Sequence, residues 1–128
     1  MSENVFPDSV VILGTKYAIF KRAYEEDEAF EKAGIDGYCD GMTKKIVVCD
    51  MDTFKGWENE NEDTKRANER HTLRHEIVHA FFSESGLMSS AHRSERAISE
   101  DEELIDFIAI QGPKIYKAWE KTNCLDKM

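Results

Sequence analysis

Leu73-Arg74-His75-Glu76-Ile77-Val78-His79-Ala80-Phe81-Phe82 is the stretch from which the rest of this chain is read. On an α-helix, residues four apart lie one above the other. His75 and His79 therefore aim two imidazoles at one point in space. Neutral imidazole is a common ligand of divalent zinc. Glu76 follows about a hundred degrees further around the helix, so its carboxylate stands beside that point, in reach of a water there. The competing reading is a solvated helix with two idle histidines. Leu73, Ile77, Val78, Ala80, Phe81 and Phe82 weigh against it, because they make the stretch apolar enough to bury. Histidines on a buried helix need polar partners, and a metal ion is one.

The whole chain sets the bounds. Its 128 residues form a single expected domain, 1–128, long enough to bury a core without staples. Hydrophobic residues at 41% and charged residues at 34% describe a soluble globular protein and not a disordered one. A formal net charge of -9, with no run rich in Lys or Arg, disfavours nucleic acid as a partner. No apolar stretch approaches a bilayer span, so no membrane partner is expected. The acidic start Met1-Ser2-Glu3-Asn4-Val5-Phe6-Pro7-Asp8 lacks the pattern of a signal peptide. Cys39, Cys49 and Cys124 leave one thiol unpaired, and with that start they point to a reducing cytoplasm. Cys39 and Cys49 either face each other across a hairpin or, the favoured reading, fill small apolar gaps.

Around the histidine stretch the elements fall into order. Val10 to Gly14 and Lys16 to Phe20 read as one long or two broken strands with a turn or bulge at Gly14. Glu25 to Ala33 reads as a short surface helix closed by Gly34. Asp40-Gly41 is a turn signal, so a β-hairpin follows whose second arm is Lys45 to Cys49. Thr64 is the expected cap of a long helix to about Glu84, closed by Gly86. Its first half is all charge, which leaves only the histidine-bearing turns for the core. A second helix spans about Ser99 to Gln111, with Leu104, Ile105, Phe107, Ile108, Ala109 and Ile110 read as buried. Gly112-Pro113 is expected to break it, before a short C-terminal helix carrying Ile115, Tyr116, Ala118 and Trp119.

Two histidines do not hold a catalytic zinc; three protein ligands and a water are usual. Asp101-Glu102-Glu103-Leu104-Ile105-Asp106 is an acidic cluster on an otherwise apolar helix. Glu102 and Asp106 are four apart and share a face, whereas Glu103 shares its face with Phe107. Glu102 is the favoured third ligand over Glu103, with Asp106 taking the N–H of a liganding histidine. Ser99-Glu100-Asp101-Glu102 also has the form of a capping box, which explains acids in a first turn but not Asp106.

The pattern H-E-x-x-H on a helix is the zinc peptidase signature. His75-Glu76-x-x-His79 followed by a helix bearing Glu102-x-x-x-Asp106 resembles the gluzincin class of zinc metallopeptidases. The phrases His79 to Leu87 and Glu102 to Gln111 are most similar to short phage and mobile-element members, the minigluzincins and ImmA/IrrE-type proteins. The resemblance runs from about Leu73 to Ile115. It implies His75, His79 and Glu102 as zinc ligands, Glu76 as base and Asp106 behind them. The chain departs from larger gluzincins at Asp101 and Ile105, where those often show Asn and Ser. It has no clear counterpart of their downstream histidine or tyrosine.

The expected protein is thus α+β with a minimal zincin-like fold. A small, mostly antiparallel sheet packs on the H-E-x-x-H helix, the ligand-bearing helix closes the site from behind, and the substrate cleft is shallow and open. The expected activity is that of a zinc metalloendopeptidase acting on a peptide or protein substrate, with Glu76 as general base for a zinc-activated water. Lys45 to Val48 is the expected edge strand for holding an extended peptide. His92, Arg93, Tyr38 and Tyr116 are open choices for oxyanion stabilisation. The alternative function is a zinc-containing binding or regulatory module of phage or mobile-element type, with little or no turnover. His71 and His92 are the only spare histidines that could complete a four-ligand structural site. His71 is eight residues from His79, too far along the axis to share a metal with both other histidines.

Overall fold

The computed structural model describes residues 3–87 and 102–126; the side chains at 102, 103, 105, 106 and 109 lie outside that description. Two hairpins build the sheet. β1 (Ser9–Ile12) and β2 (Thr15–Arg22) pair antiparallel around Leu13-Gly14. Both turn residues have positive φ, 49° and 88°, as a two-residue turn between right-twisted strands requires. After a 3₁₀ turn at Tyr24–Glu26, α1 (Glu28–Ala33) is capped by Asp27, whose carboxylate accepts from the Ala29 N–H, and closed by Gly34 in the left-handed region. The second hairpin joins β3 (Gly37–Asp40) to β4 (Lys45–Cys49). Its turn is held by Asp40 Oδ1, which accepts from the N–H groups of Met42 and Thr43.

The strands lie in the order β1-β2-β4-β3, with β2 and β4 parallel between the two antiparallel pairs. The sheet is therefore mixed. This corrects the expected edge: Lys45 to Val48 belongs to β4, an interior strand, and the edge on that side is β3. The physical reason is burial on both faces. Ile46 and Val48 enter the core beneath the helices, while Val47 and Cys49 pack with Phe30 and Met51 on the opposite face. Cys39 pairs in register with Ile46, so it faces the helices and Cys49 faces away. These two thiols do not meet, and all three cysteines are free.

Two long helices cover one face of the sheet. α2 (Glu62–Ser85) begins at Asn61, not Thr64: the Asn61 side chain accepts from the Thr64 N–H, and Gly86 closes the helix in the left-handed region. One side of its charged first half is also buried, against expectation. Glu69 is fully enclosed and Arg66 nearly so. Glu69 pairs with Arg66 (3.2 Å) and Lys21 (3.1 Å) and accepts from the Met51 N–H (2.9 Å). Arg66 reaches on to Asp52 and Glu3. A buried carboxylate is tolerable only with such partners.

α3 (Glu102–Lys121) is continuous through Gly112-Pro113, where a break was expected. Pro113 lies on the exposed side, so the one hydrogen bond it removes is lost on the side away from the core. The buried stripe of Phe107, Ile115 and Ala118 runs past it on the inner side. Ile108 and Ile110, read as core, are 58% and 65% exposed. The Ser99 start of this helix falls outside the described residues. α3 runs antiparallel to α2: Phe107 meets Phe82 edge-on at 4.9 Å, and further along the Trp119 Nε1–H donates to the Arg74 carbonyl.

The two ends of the described chain meet on the flank of α2. Arg70 bonds both Asn4 and Asp126, and Asn123 donates to the Val5 carbonyl. No helix of the described residues is long and apolar enough to cross a membrane.

Candidate metal centre

Leu73, Ile77, Ala80 and Phe81 pin the middle of α2 to the sheet. That anchoring turns the neighbouring side of the helix, with His75, Glu76 and His79, toward β3. The two Nε2 atoms stand 3.2 Å apart. Tetrahedral coordination with bonds of 2.0–2.1 Å separates two ligand nitrogens by about 3.3 Å. The pair stands close to that spacing, which is also the length of a hydrogen bond between the two rings. With a Glu76 carboxylate oxygen, the three candidate ligand atoms all lie within 4.8 Å of one another.

The electrostatics of the three residues differ. Glu76 is buried, and burial, reinforced by the negative charge of Asp36, pushes its pKa up to about 7. Burial and the neighbouring His75 lower the His79 pKa, which favours the neutral imidazole a metal needs. His75 is exposed. His79 contacts Phe82 edge-on, and Phe82 contacts Phe107, so an aromatic chain links the centre to α3.

A cleft of about 590 Å³ opens over this centre, lined by Gly37, Cys39, His75, Glu76, His79 and Ser83 among others. Gly37 is a point of close approach between strand and helix. A Cβ there would lie 2.4 Å from Thr72 Cγ2, 3.0 Å from the Val47 carbonyl and 3.7 Å from a Glu76 carboxylate oxygen. Sequence reasoning missed Gly37 and Cys39 as cleft residues. The signal was present in the turn at Asp40-Gly41, which makes one arm of the hairpin an edge. The uninterrupted apolar run Ile46-Val47-Val48-Cys49 marks the other arm as interior.

Of the expected site residues, His75, Glu76 and His79 come together. Glu102 and Asp106 are on the first turns of α3 and their side chains lie outside the described part, as do His92 and Arg93 entirely. Asp106 adjoins Phe107, the residue that meets Phe82, and Glu102 lies about 6 Å further along the α3 axis. The Tyr38 hydroxyl donates to Asp27 at 2.5 Å, which leaves that proton engaged away from the cleft. Tyr116 is half-exposed on α3. The His71 ring stacks on that of His75 at 6.5 Å between centroids without joining the ligand group.

No family model matches this chain, and no curated protein or solved structure does.

Proposed function

We propose that this chain is a zinc-dependent peptidase in which His75, His79 and Glu102 hold the metal and Glu76 is the general base. Asp106 orients a liganding imidazole. The observation that carries the reading is the pair of converging Nε2 atoms at 3.2 Å beside a buried carboxyl. Zinc bound there would polarise a peptide carbonyl and acidify a water. Glu76 takes up a proton at its carboxylate and returns it to the leaving amine. β3 supplies the substrate rail. Its pairing with β4 turns the backbone N–H and C=O groups of Gly37 and Cys39 outward, because groups alternate along an antiparallel strand and the Asp36 carbonyl accepts from the Cys49 N–H. An extended peptide laid on that edge brings its backbone alongside Glu76.

Native mass spectrometry with a mixed-peptide cleavage screen tests this. The chain and Glu76→Gln should each carry one zinc, and Glu76→Gln should lose activity by about 10²–10⁴. His79→Ala should lose the metal. Zinc lost in Asp106→Ala but kept in Glu102→Ala would move the third ligand one turn along α3. Unchanged cleavage by Glu76→Gln would remove the proposed base. Bound zinc with no cleavage of any peptide would favour the binding-module alternative.

A further inference from the structure

The opposite edge of the sheet carries a second groove, unrelated to the histidine centre. It encloses about 550 Å³ between β1 and α3, and its lining includes Ser9, Val11, Phe81, Lys114, Lys117 and Lys121. Three observations bear on what fits it. First, β1 is an edge of the sheet with no further strand paired to it among the described residues. The Ile19 N–H donates to the Asp8 carbonyl, so by alternation Val10 and Ile12 also face β2 and the backbone groups of Ser9 and Val11 point outward. Second, Lys114, Lys117 and Lys121 are exposed at helical spacing on one side of α3. None of them forms an ion pair with a described residue, although the chain as a whole is strongly acidic. Third, the floor between strand and lysines is apolar, with Val10 and Ala118 buried, while Val11 on the far face of the sheet is 62% exposed.

A strand added to this edge would send alternate side chains to two different surroundings. On the helix side they meet three ammonium groups spread over about 10 Å, and on the far side they meet Val11. We infer that β1 and the lysine side of α3 form a docking groove for an extended partner peptide in which acidic residues alternate with apolar ones. Backbone pairing to Ser9 and Val11 supplies the hold, and the lysines select the charge. Lysines near an open edge also discourage self-pairing, a role that needs no partner and that binding data separate from this one.

The test is fluorescence anisotropy on the full chain with a labelled short peptide alternating glutamate and valine. Amide shifts in a ¹⁵N spectrum locate the site. Binding should move the Ser9 and Val11 amides and leave those of Gly37 and Cys39 in place. A peptide alternating lysine and valine should not bind. Charge reversal of Lys114, Lys117 and Lys121 together should weaken binding by roughly tenfold. The glutamate peptide N-methylated at alternate residues should fail to bind, an arm that needs no change to the protein. Equal binding of the N-methylated peptide would reduce the groove to charge attraction and overturn the proposal. Shifts at Gly37 and Cys39 instead, absence of binding, or a dimer of the free chain joined through β1 would each overturn it as well.

Discussion

Glu76 and Glu84 lie about two turns apart on α2 and are driven in opposite directions. Glu76, buried near Asp36, is pushed up to about 7, whereas Glu84 is held down to about 2 by hydrogen bonds from Lys44 and Tyr17. The Tyr17 hydroxyl and the Lys44 ammonium each approach Glu84 Oε2 to 2.6 Å. A carboxylate whose folded pKa is depressed stabilises the fold above its unfolded pKa and loses that contribution as pH falls through the folded one. The stabilisation from Glu84 should therefore be complete above about pH 4.5 and fade toward pH 2. Its size is on the order of 2 kcal/mol once the partly exposed Lys44 is discounted. Urea titrations across that range should show Tyr17→Phe flattening the acid limb; an unchanged limb would remove the assignment. His75, Glu76 and His79 were legible because their spacing is local. The Glu84 pairing was not, since its partners come from β2 and the hairpin turn.

At the scale of elements, the contact between β3 and α2 depends on Gly37 having no side chain. Gly37→Ala should cost about 1–3 kcal/mol, read as a lower melting temperature, by forcing the edge strand off Thr72 and widening the cleft. Wild-type stability in that variant would mean the strand yields freely. The first half of α2 is held differently, by charge. Glu69→Ala leaves Arg66 and Lys21 without their buried partner and should cost about 3–5 kcal/mol in urea denaturation. A loss below about 1 kcal/mol, the level of an exposed pair, would show that water reaches the network. Turn and cap chemistry made the second hairpin and the end of α1 readable from sequence, whereas Gly14 was read as a turn or a bulge and the first hairpin was left open. Two features were hidden for stated reasons. The ion network was misread because charge in a helix usually means solvent. Pro113 was misread because the stripe on the opposite side of α3 outweighs one missing hydrogen bond.

For the molecule as a whole, the core of sheet and two helices closes through apolar contact without recourse to the histidines. Removal of the proposed zinc should then lower stability by the binding term alone, about 2.7 kcal/mol at metal a hundredfold above its Kd. Circular dichroism with a chelator should keep the helical signal while the melting temperature falls. Collapse of that signal would make the metal a folding element, as in zinc fingers. The α+β class was legible in outline. The parallel β2–β4 pairing was not, because hairpin signals are local and this pairing joins strands on either side of α1.

The meeting of Val5 with Asn123, braced by Arg70, brings the two ends of the described residues side by side. A brief glycine bridge could join those ends, and the backbone could be reopened at the exposed bend by Gly56 without cutting a strand or helix. In such a permuted chain α2 would be among the first segments to emerge during synthesis and the two hairpins would follow it. The order of genetic encoding is thus separable from the architecture that sets the histidines facing β3.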